Sequence, residues 1–177
     1  MDAAYYNHAE CVELLLENGA NGVSVDFLGN TAMIWAVQHN SYECLELLLV
    51  HVGCVDHQSK YGETALKAKA PVDGRAIAEA AMNGHIETVV ALLEAKAPVD
   101  GRAIAEAAEN GHMEIVKLLI EAKAPVDEFT IAGAAENGHI EIVKVLLEAK
   151  APVDEEAIAG AAKKGHTEIV IIFKGSS

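Results

Sequence analysis

Aromatic side chains are scarce in this 177-residue chain, at 5% of its residues. With abundant Ala, that scarcity suits thin, closely packed helices. Long apolar runs are lacking too: residues 89–93 and 169–173 are among the longest, far short of the roughly 20 residues a spanning helix needs, so no membrane insertion is expected. No charged, then apolar, then small-residue leader opens the chain, and no secretory signal is expected. Basic residues are in the minority, 13 Lys and Arg against 27 Asp and Glu, for a net charge of −14. About −6 of it lies before Asp73 and −8 from there on. A phosphate backbone would be repelled, so nucleic acid is not an expected partner.

Signatures of chemistry are missing as well. The sequence holds no G-x-x-x-x-G-K-S/T, G-x-G-x-x-G, H-E-x-x-H, C-x-x-C or G-x-S-x-G, which would mark phosphate, dinucleotide, metal or nucleophile sites. No catalytic residue, cofactor or metal is therefore assigned, and the expectation is a protein that is not an enzyme.

What is present is repetition. Ala-Pro-Val-Asp returns at Ala70, Ala97, Ala124 and Ala151, every 27 residues, and the text between is nearly a copy. Residues 73–99, 100–126 and 127–153 each hold an Ala-rich stretch, a Gly-His step and a longer stretch with helical apolar spacing, as at Ile86, Val89, Val90, Leu92 and Leu93. A fourth copy runs from Asp154 to Lys174. The unit reads helix, turn, helix, and the chain is expected to be an all-α array that grows by stacking. Five large apolar side chains at about 2 kcal/mol each do not offset about 1.5 kcal/mol of conformational entropy per ordered residue, so no unit folds alone. Ala80 and Ala81 and their copies are expected to let neighbouring helices approach.

The first third carries the unit with a period of 33: Gly29 matches Gly62, Thr31-Ala32-Met33 matches Thr64-Ala65-Leu66, and Cys11 matches Cys44. This pattern resembles the ankyrin repeat. It is clearest from Asp26 through Gly29, Thr31, Trp35, Ala36 and Glu43 to Leu49, and again at Ala80-Ala81, Gly84-His85, Glu87 and Leu93. The expected organisation is a single array over residues 1–177. It divides into 33-residue-type units at 1–56, a truncated irregular unit at 57–72, and 27-residue units at 73–177.

Three departures from the family pattern carry expectations. The short units lack six residues that form the family's projecting hairpin, so at most one or two fingers are expected, near the start. Asp73, Asp100, Asp127 and Asp154 are then expected to cap the next helix directly. The family's His that ties neighbouring loops is lost from Arg75-Ala-Ile-Ala78 and its copies. Lys96, Lys123 and Lys150 stand where Gly19 ends the corresponding helix, and a left-handed conformation there costs each about 1 kcal/mol.

Cys11, Cys44 and Cys54 are odd in number and lack metal-like spacing. Stacked helices stand about 10 Å apart, beyond the roughly 7 Å a disulfide spans, so Cys11 and Cys44 are expected to be separate buried thiols. A reducing, cytoplasmic setting is expected. The column His85, His112, His139 and His166 is read as opening the second helix of each unit. Glu87, Glu114, Glu141 and Glu168 are read as first-turn stabilisers of the helix dipole.

The resemblance implies a non-catalytic scaffold that binds a protein partner through hairpin tips and exposed first-helix positions. Carried onto this chain, those are Phe27, Leu28 and Asn30 beside Asp26 at the finger, then Trp35, Gln38 and His39. In the short units they are Arg75, Glu79 and Met82, then Arg102, Glu106 and Glu109, then Phe129 and Glu136 with Gly133 between them. Glu156, Gly160 and Lys163 continue the row. Trp35 is the sharpest, since Trp is enriched among residues that dominate interfaces; the alternative is that it packs under its own hairpin or under the shortened third unit. Arg75 and Arg102 are expected to pair with Glu79 and Glu106. Two further readings stay open: an assembly segment that self-associates or continues the array through open ends such as residues 169–173, and a regulatory module of a larger protein.

Overall fold

The computed structural model describes residues 1–53 and 74–175. The expectations placed on Cys54, on Asp73 and on the irregular unit at 57–72 lie outside them. The fold is all-α, with twelve helices among the described residues. In order these are α1 (Asp2–Tyr5), α2 (Ala9–Glu17), α3 (Ala32–Gln38), α4 (Tyr42–Gly53), α5 (Gly74–Met82), α6 (Ile86–Glu94), α7 (Gly101–Glu109), α8 (Met113–Glu121), α9 (Glu128–Glu136), α10 (Ile140–Glu148), α11 (Glu155–Lys163) and α12 (Thr167–Gly175). They fall into two compact units, residues 1–53 with 74–76 and 87–98, and residues 77–86 with 99–175.

In the first unit α1 packs on α2 and α3, and α2 and α3 each pack on α4. Val12, Met33, Ile34, Val37, Leu45 and Leu48 are buried there. Between α2 and α3 the chain makes one short finger, marked by an antiparallel bridge from Val25 to Thr31. Thr31 then caps α3, its hydroxyl accepting from Ile34 N at 3.2 Å.

In the second unit first helices form one row, α7 on α9 on α11, and second helices another, α8 on α10 on α12. Ala107, Ala108, Ala134, Ala135 and Ala161 are fully buried, because a methyl side chain is what lets two backbones come close. Ile115, Leu119, Ile142, Leu146 and Phe173 fill the space beside them. Asp100, Asp127 and Asp154 cap as expected, accepting from Ala103 N at 3.2 Å, Thr130 N at 2.9 Å and Ala157 N at 2.7 Å. Each satisfies one of the donors that a helix N-terminus leaves without an internal partner. No finger projects from the described short units; Asp100, Asp127 and Asp154 follow the preceding helix within a few residues.

Lys96, Lys123 and Lys150 do adopt the left-handed conformation, with φ of 57°, 61° and 62°, where Gly19 has 81°. The thiol expectation is half corrected. Cys44 is buried, its thiol pushed up by burial and then by the neighbouring charge of Glu43. Cys11 is exposed, because in α2 its face meets solvent where Cys44 in α4 meets α2 and α1.

Candidate recognition surface

Asp26 organises the finger. Its backbone N–H donates to the Asn30 carbonyl at 3.0 Å and its carbonyl accepts from Gly29 N at 3.0 Å, with Gly29 at φ 79°, a conformation side-chain-bearing residues resist. One carboxylate oxygen accepts from Leu28 N at 2.8 Å and Asn30 N at 2.9 Å. The other accepts from Trp35 Nε1 at 2.8 Å. Donors converging on the charged form hold the carboxyl below its ordinary value, the Asn30 N–H contributing most.

The finger therefore presents its apolar tip from a fixed backbone. Phe27 is 95% exposed, and Leu28 and Val25 are exposed beside it. Asn30, selected from sequence as an exposed contact, is instead buried at 5%. Its side chain points inward at the foot of the turn, since the backbone pairing that closes the finger at Asp26 and Asn30 turns it away from solvent.

Trp35 is likewise less open than a solvent-facing position implies. It is half-buried and tied by its indole N–H to its own hairpin, as the alternative sequence reading had it. It is also one member of an aromatic cluster. Its ring lies 5.8 Å from that of His39, nearly parallel, and 5.6 Å from Tyr5. Tyr5 sits 3.9 Å from His39 and 4.6 Å from Tyr6, and Tyr6 lies 6.1 Å from His8. Gln38, at the end of α3, is half-buried.

Tyr5 and Tyr6 were not selected from the sequence. The signal was available: Ala3-Ala4 aligns with Ala80-Ala81, which puts Tyr5 in register with Met82 and Tyr6 with Asn83. Tyr6 is 66% exposed, so the cluster, joined to the finger through the Trp35–Asp26 hydrogen bond, offers solvent a rim of aromatic edges. Aromatic rings with few rotors lose little entropy when covered, which is why they anchor interfaces.

The remaining selected residues are placed unit by unit. Arg75, in the first unit, is half-buried on α5. In the second unit Glu79 is half-buried and Met82 exposed. Arg102 reaches Glu106 one turn on at 3.5 Å, the expected pairing. Glu109, Phe129 and Glu136 are exposed, Phe129 at 69%. The glycines of this row are covered from the helix before: a Cβ at Gly133 would stand 3.3 Å from Glu109 Cβ, and one at Gly160 only 2.6 Å from Glu136 Cγ. The second unit's first-helix face is thus polar and acidic, with Phe129 its one large exposed ring among the described residues.

The histidine column does a second job. His112 and His139 open α8 and α10 as expected, but their side chains cap nothing in those helices. His112 Nε2 lies 3.1 Å from the Met82 carbonyl, His139 Nε2 3.0 Å from Glu109 O, and His166 Nε2 3.0 Å from Glu136 O. A carbonyl only accepts, so each Nε2 carries the proton. The tie between neighbouring repeats, expected to be lost with the family's other His, is made here by the Gly-His step. In the first unit Ser41 stands in the same register and its hydroxyl donates to Tyr5 O at 3.4 Å. Gly84, Gly111 and Gly138 complete the joint, for a Cβ on any of them would lie within 2.6–2.7 Å of the next unit's imidazole.

A groove of about 890 Å³ opens in the first unit between α2, α4 and α6, lined by Glu13, Glu17, Glu43, Glu46, Tyr42 and Val50 among others. None of the residues selected from sequence lines it. Among the described residues no group of three or more His, Cys, Asp or Glu is placed to hold a metal ion. Nor is any described helix long and apolar enough to cross a membrane.

Comparison with known proteins follows the same lines. A family model for ankyrin repeats in three copies matches residues 1–75 and 77–157. Among solved structures, the ankyrin repeat domain of human ASB11 superposes with a TM-score of 0.77 over 99% of this chain and 82% of that one, at 22% identity. At that identity the likeness is one of fold. No curated protein matches the sequence.

Proposed function

The chain belongs to the ankyrin repeat family, and from that premise we propose that it is a non-catalytic scaffold whose partner protein docks on the finger and the aromatic cluster of the first unit. Ankyrin repeats are in general protein–protein interaction modules. The observation that carries the reading is Phe27, 95% exposed at the tip of a finger whose backbone is held in place by Asp26. An apolar side chain on a pre-ordered loop binds without the cost of ordering the loop first. Leu28, Tyr6 and His39 extend the same surface, and Trp35 supports it from below. The acidic first-helix row of Arg102, Glu106, Glu109, Phe129 and Glu136 supplies a second stretch, polar around a single ring, suited to a partner with basic residues around an apolar one. Asn30 serves this surface by closing the turn. A reducing, cytoplasmic location accords with an exposed Cys11 and a buried Cys44 that remain thiols.

The test is binding of purified partner, first captured with the intact chain, to wild type, Phe27→Ser and Phe129→Ser. We expect Phe27→Ser to weaken binding by roughly tenfold or more, as loss of a central aromatic anchor does, while its circular dichroism stays that of wild type. Equal affinity for wild type and Phe27→Ser would remove the finger from the interface.

A further inference from the structure

The joints inside the second unit show which side chains a repeat turns toward its neighbours, and the α2 and α11–α12 faces can be compared with them. Along α8, α10 and α12 the positions of Leu119, Leu146 and Phe173 are closed to solvent, and so is Leu48 in the same register of α4. The equivalent residue of α2 is Leu15, and it is 51% exposed. Cys11 is exposed too, although its register mates Cys44, Thr88, Ile115, Ile142 and Ile169 are all buried. The α2 face therefore shows solvent the side chains that other repeats turn toward the repeat before them.

The α11–α12 face shows the opposite half. Ile77, Ile104 and Ile131 are fully buried, while Ile158 in the same register is half-exposed. Ala81, Ala108 and Ala135 are fully buried, and Ala162 is exposed. Val89, Val116 and Val143 are closed, and Val170 is half-exposed. Gly84, Gly111 and Gly138 each hold an imidazole against them, but Gly165, with the same left-handed φ of 84°, has nothing within 4 Å of where a Cβ would be. The carbonyl that matches Met82, Glu109 and Glu136 in this joint belongs to Lys163.

His8 is the side chain that such a place fits. It opens α2 with φ −85° and ψ 77°, as His112 opens α8 with −84° and 73° and His139 opens α10 with −81° and 71°. It is exposed, and it is in register with them. Charge runs the same way. No Lys or Arg occurs before Lys60, so α1 and α2 carry Asp2, Glu10, Glu13 and Glu17 unopposed, whereas Lys163 and Lys164 stand at the end of α11 beside the joint carbonyl, with Glu155 and Glu156 at that helix's far end and Glu168 and Lys174 on α12.

We propose that the α11–α12 face of one copy of this chain takes the α2 face of a second copy, His8 entering the place beside Gly165 and donating to the Lys163 carbonyl, with Leu15 and Cys11 covered by Ile158, Ala162 and Val170. The contact continues the joint already made three times inside the second unit. It is heterologous, with a different face from each partner, and so does not close on itself at two copies.

Sedimentation across a concentration series tests this with wild type, Leu15→Glu, Ala162→Glu and the two variants mixed. Both substitutions sit at exposed positions, and helical circular dichroism of the same samples checks the fold. Wild type is expected to grow past dimer with concentration. Each variant alone is expected to stay monomeric, and the equimolar mixture to stop at a one-to-one dimer, because it keeps one intact face of each kind. Wild type that stays monomeric throughout, or a variant that associates alone as wild type does, overturns the proposal. His8→Ala gives an independent reading: we expect association about fivefold weaker, the worth of one hydrogen bond, and unchanged association also overturns the assignment.

Discussion

At the scale of single residues, Asp26 shows how one carboxylate sets a local structure. Its pKa is lowered, chiefly by the Asn30 N–H and with help from the Trp35 indole. A group depressed in the folded state stabilises it above the group's ordinary value, 3.8, and loses that effect as pH falls through the lowered one. Because Trp35 is the single Trp, its emission reports the finger directly. We expect an acid step in that emission below pH 3.8, absent from Asp26→Asn; an unchanged step in the variant would detach the indole from the carboxylate. The thiols differ by position in the same way. In a Cys54→Ser background, at concentrations low enough to keep the chain monomeric, Cys11 should react with a thiol reagent at once and Cys44 only as slowly as the protein opens, since the thiolate is the reactive form and burial disfavours it. The left-handed lysines make a third case. Lys123→Gly should raise stability to urea by about 1 kcal/mol through relief of a Cβ clash, and Lys123→Ala should not.

At the scale of helices and turns, each short unit is bounded by two local devices. The Asp that opens the first helix is one: Asp127→Ala should cost about 1 kcal/mol in denaturant unfolding, in the usual range for a lost N-cap. Thr130 also leans on that carboxylate, its hydroxyl donating at 2.7 Å, so the loss should sit toward the upper part of that range. The Gly-His step is the other. Gly111→Ala should destabilise more than His139→Ala, because the added carbon would stand 2.7 Å from the imidazole and the backbone is at φ 80° besides. Equal losses in thermal unfolding would mean the glycine's role is conformational alone. These devices divide what the sequence discloses from what it conceals. Asp100, Asp127 and Asp154 are readable because capping is decided within four residues, and the left-handed lysines because they align with Gly19. The helix faces are readable because Ala, Ile and Leu recur at fixed register. The imidazole-to-carbonyl ties join residues 30 apart, and periodicity gives their column without saying where the rings point. Asn30 escaped, and Trp35 stayed between two readings, for a related reason: a turn closed by Asp26 rotates one inward and ties down the other, and no spacing rule encodes that rotation. Tyr5 and Tyr6 needed the Ala3-Ala4 register to be carried two residues further.

At the scale of the whole chain, a net charge of −14 on 177 residues is self-repelling, and exposed ion pairs such as Arg102–Glu106 and Lys144–Glu141 are set against it. Exposed pairs contribute little, so stability should rise on going from low ionic strength to about 0.15 M salt, as screening over about 8 Å weakens the repulsion. A urea midpoint that falls with salt would contradict this. The Gly-His joint has a consequence for heredity. Because each 27-residue segment of the second unit brings its own imidazole and its own glycine-and-carbonyl recess, neighbours need not coevolve. Removing residues 100–126 brings His139 against Met82 and Gly84, as His112 was, with no contact to reinvent. A slip of the replication machinery by one period changes the copy number while leaving the grammar of every junction intact, so such a gene is free to lengthen and shorten where an ordinary globular core would be ruined by the loss of a single helix.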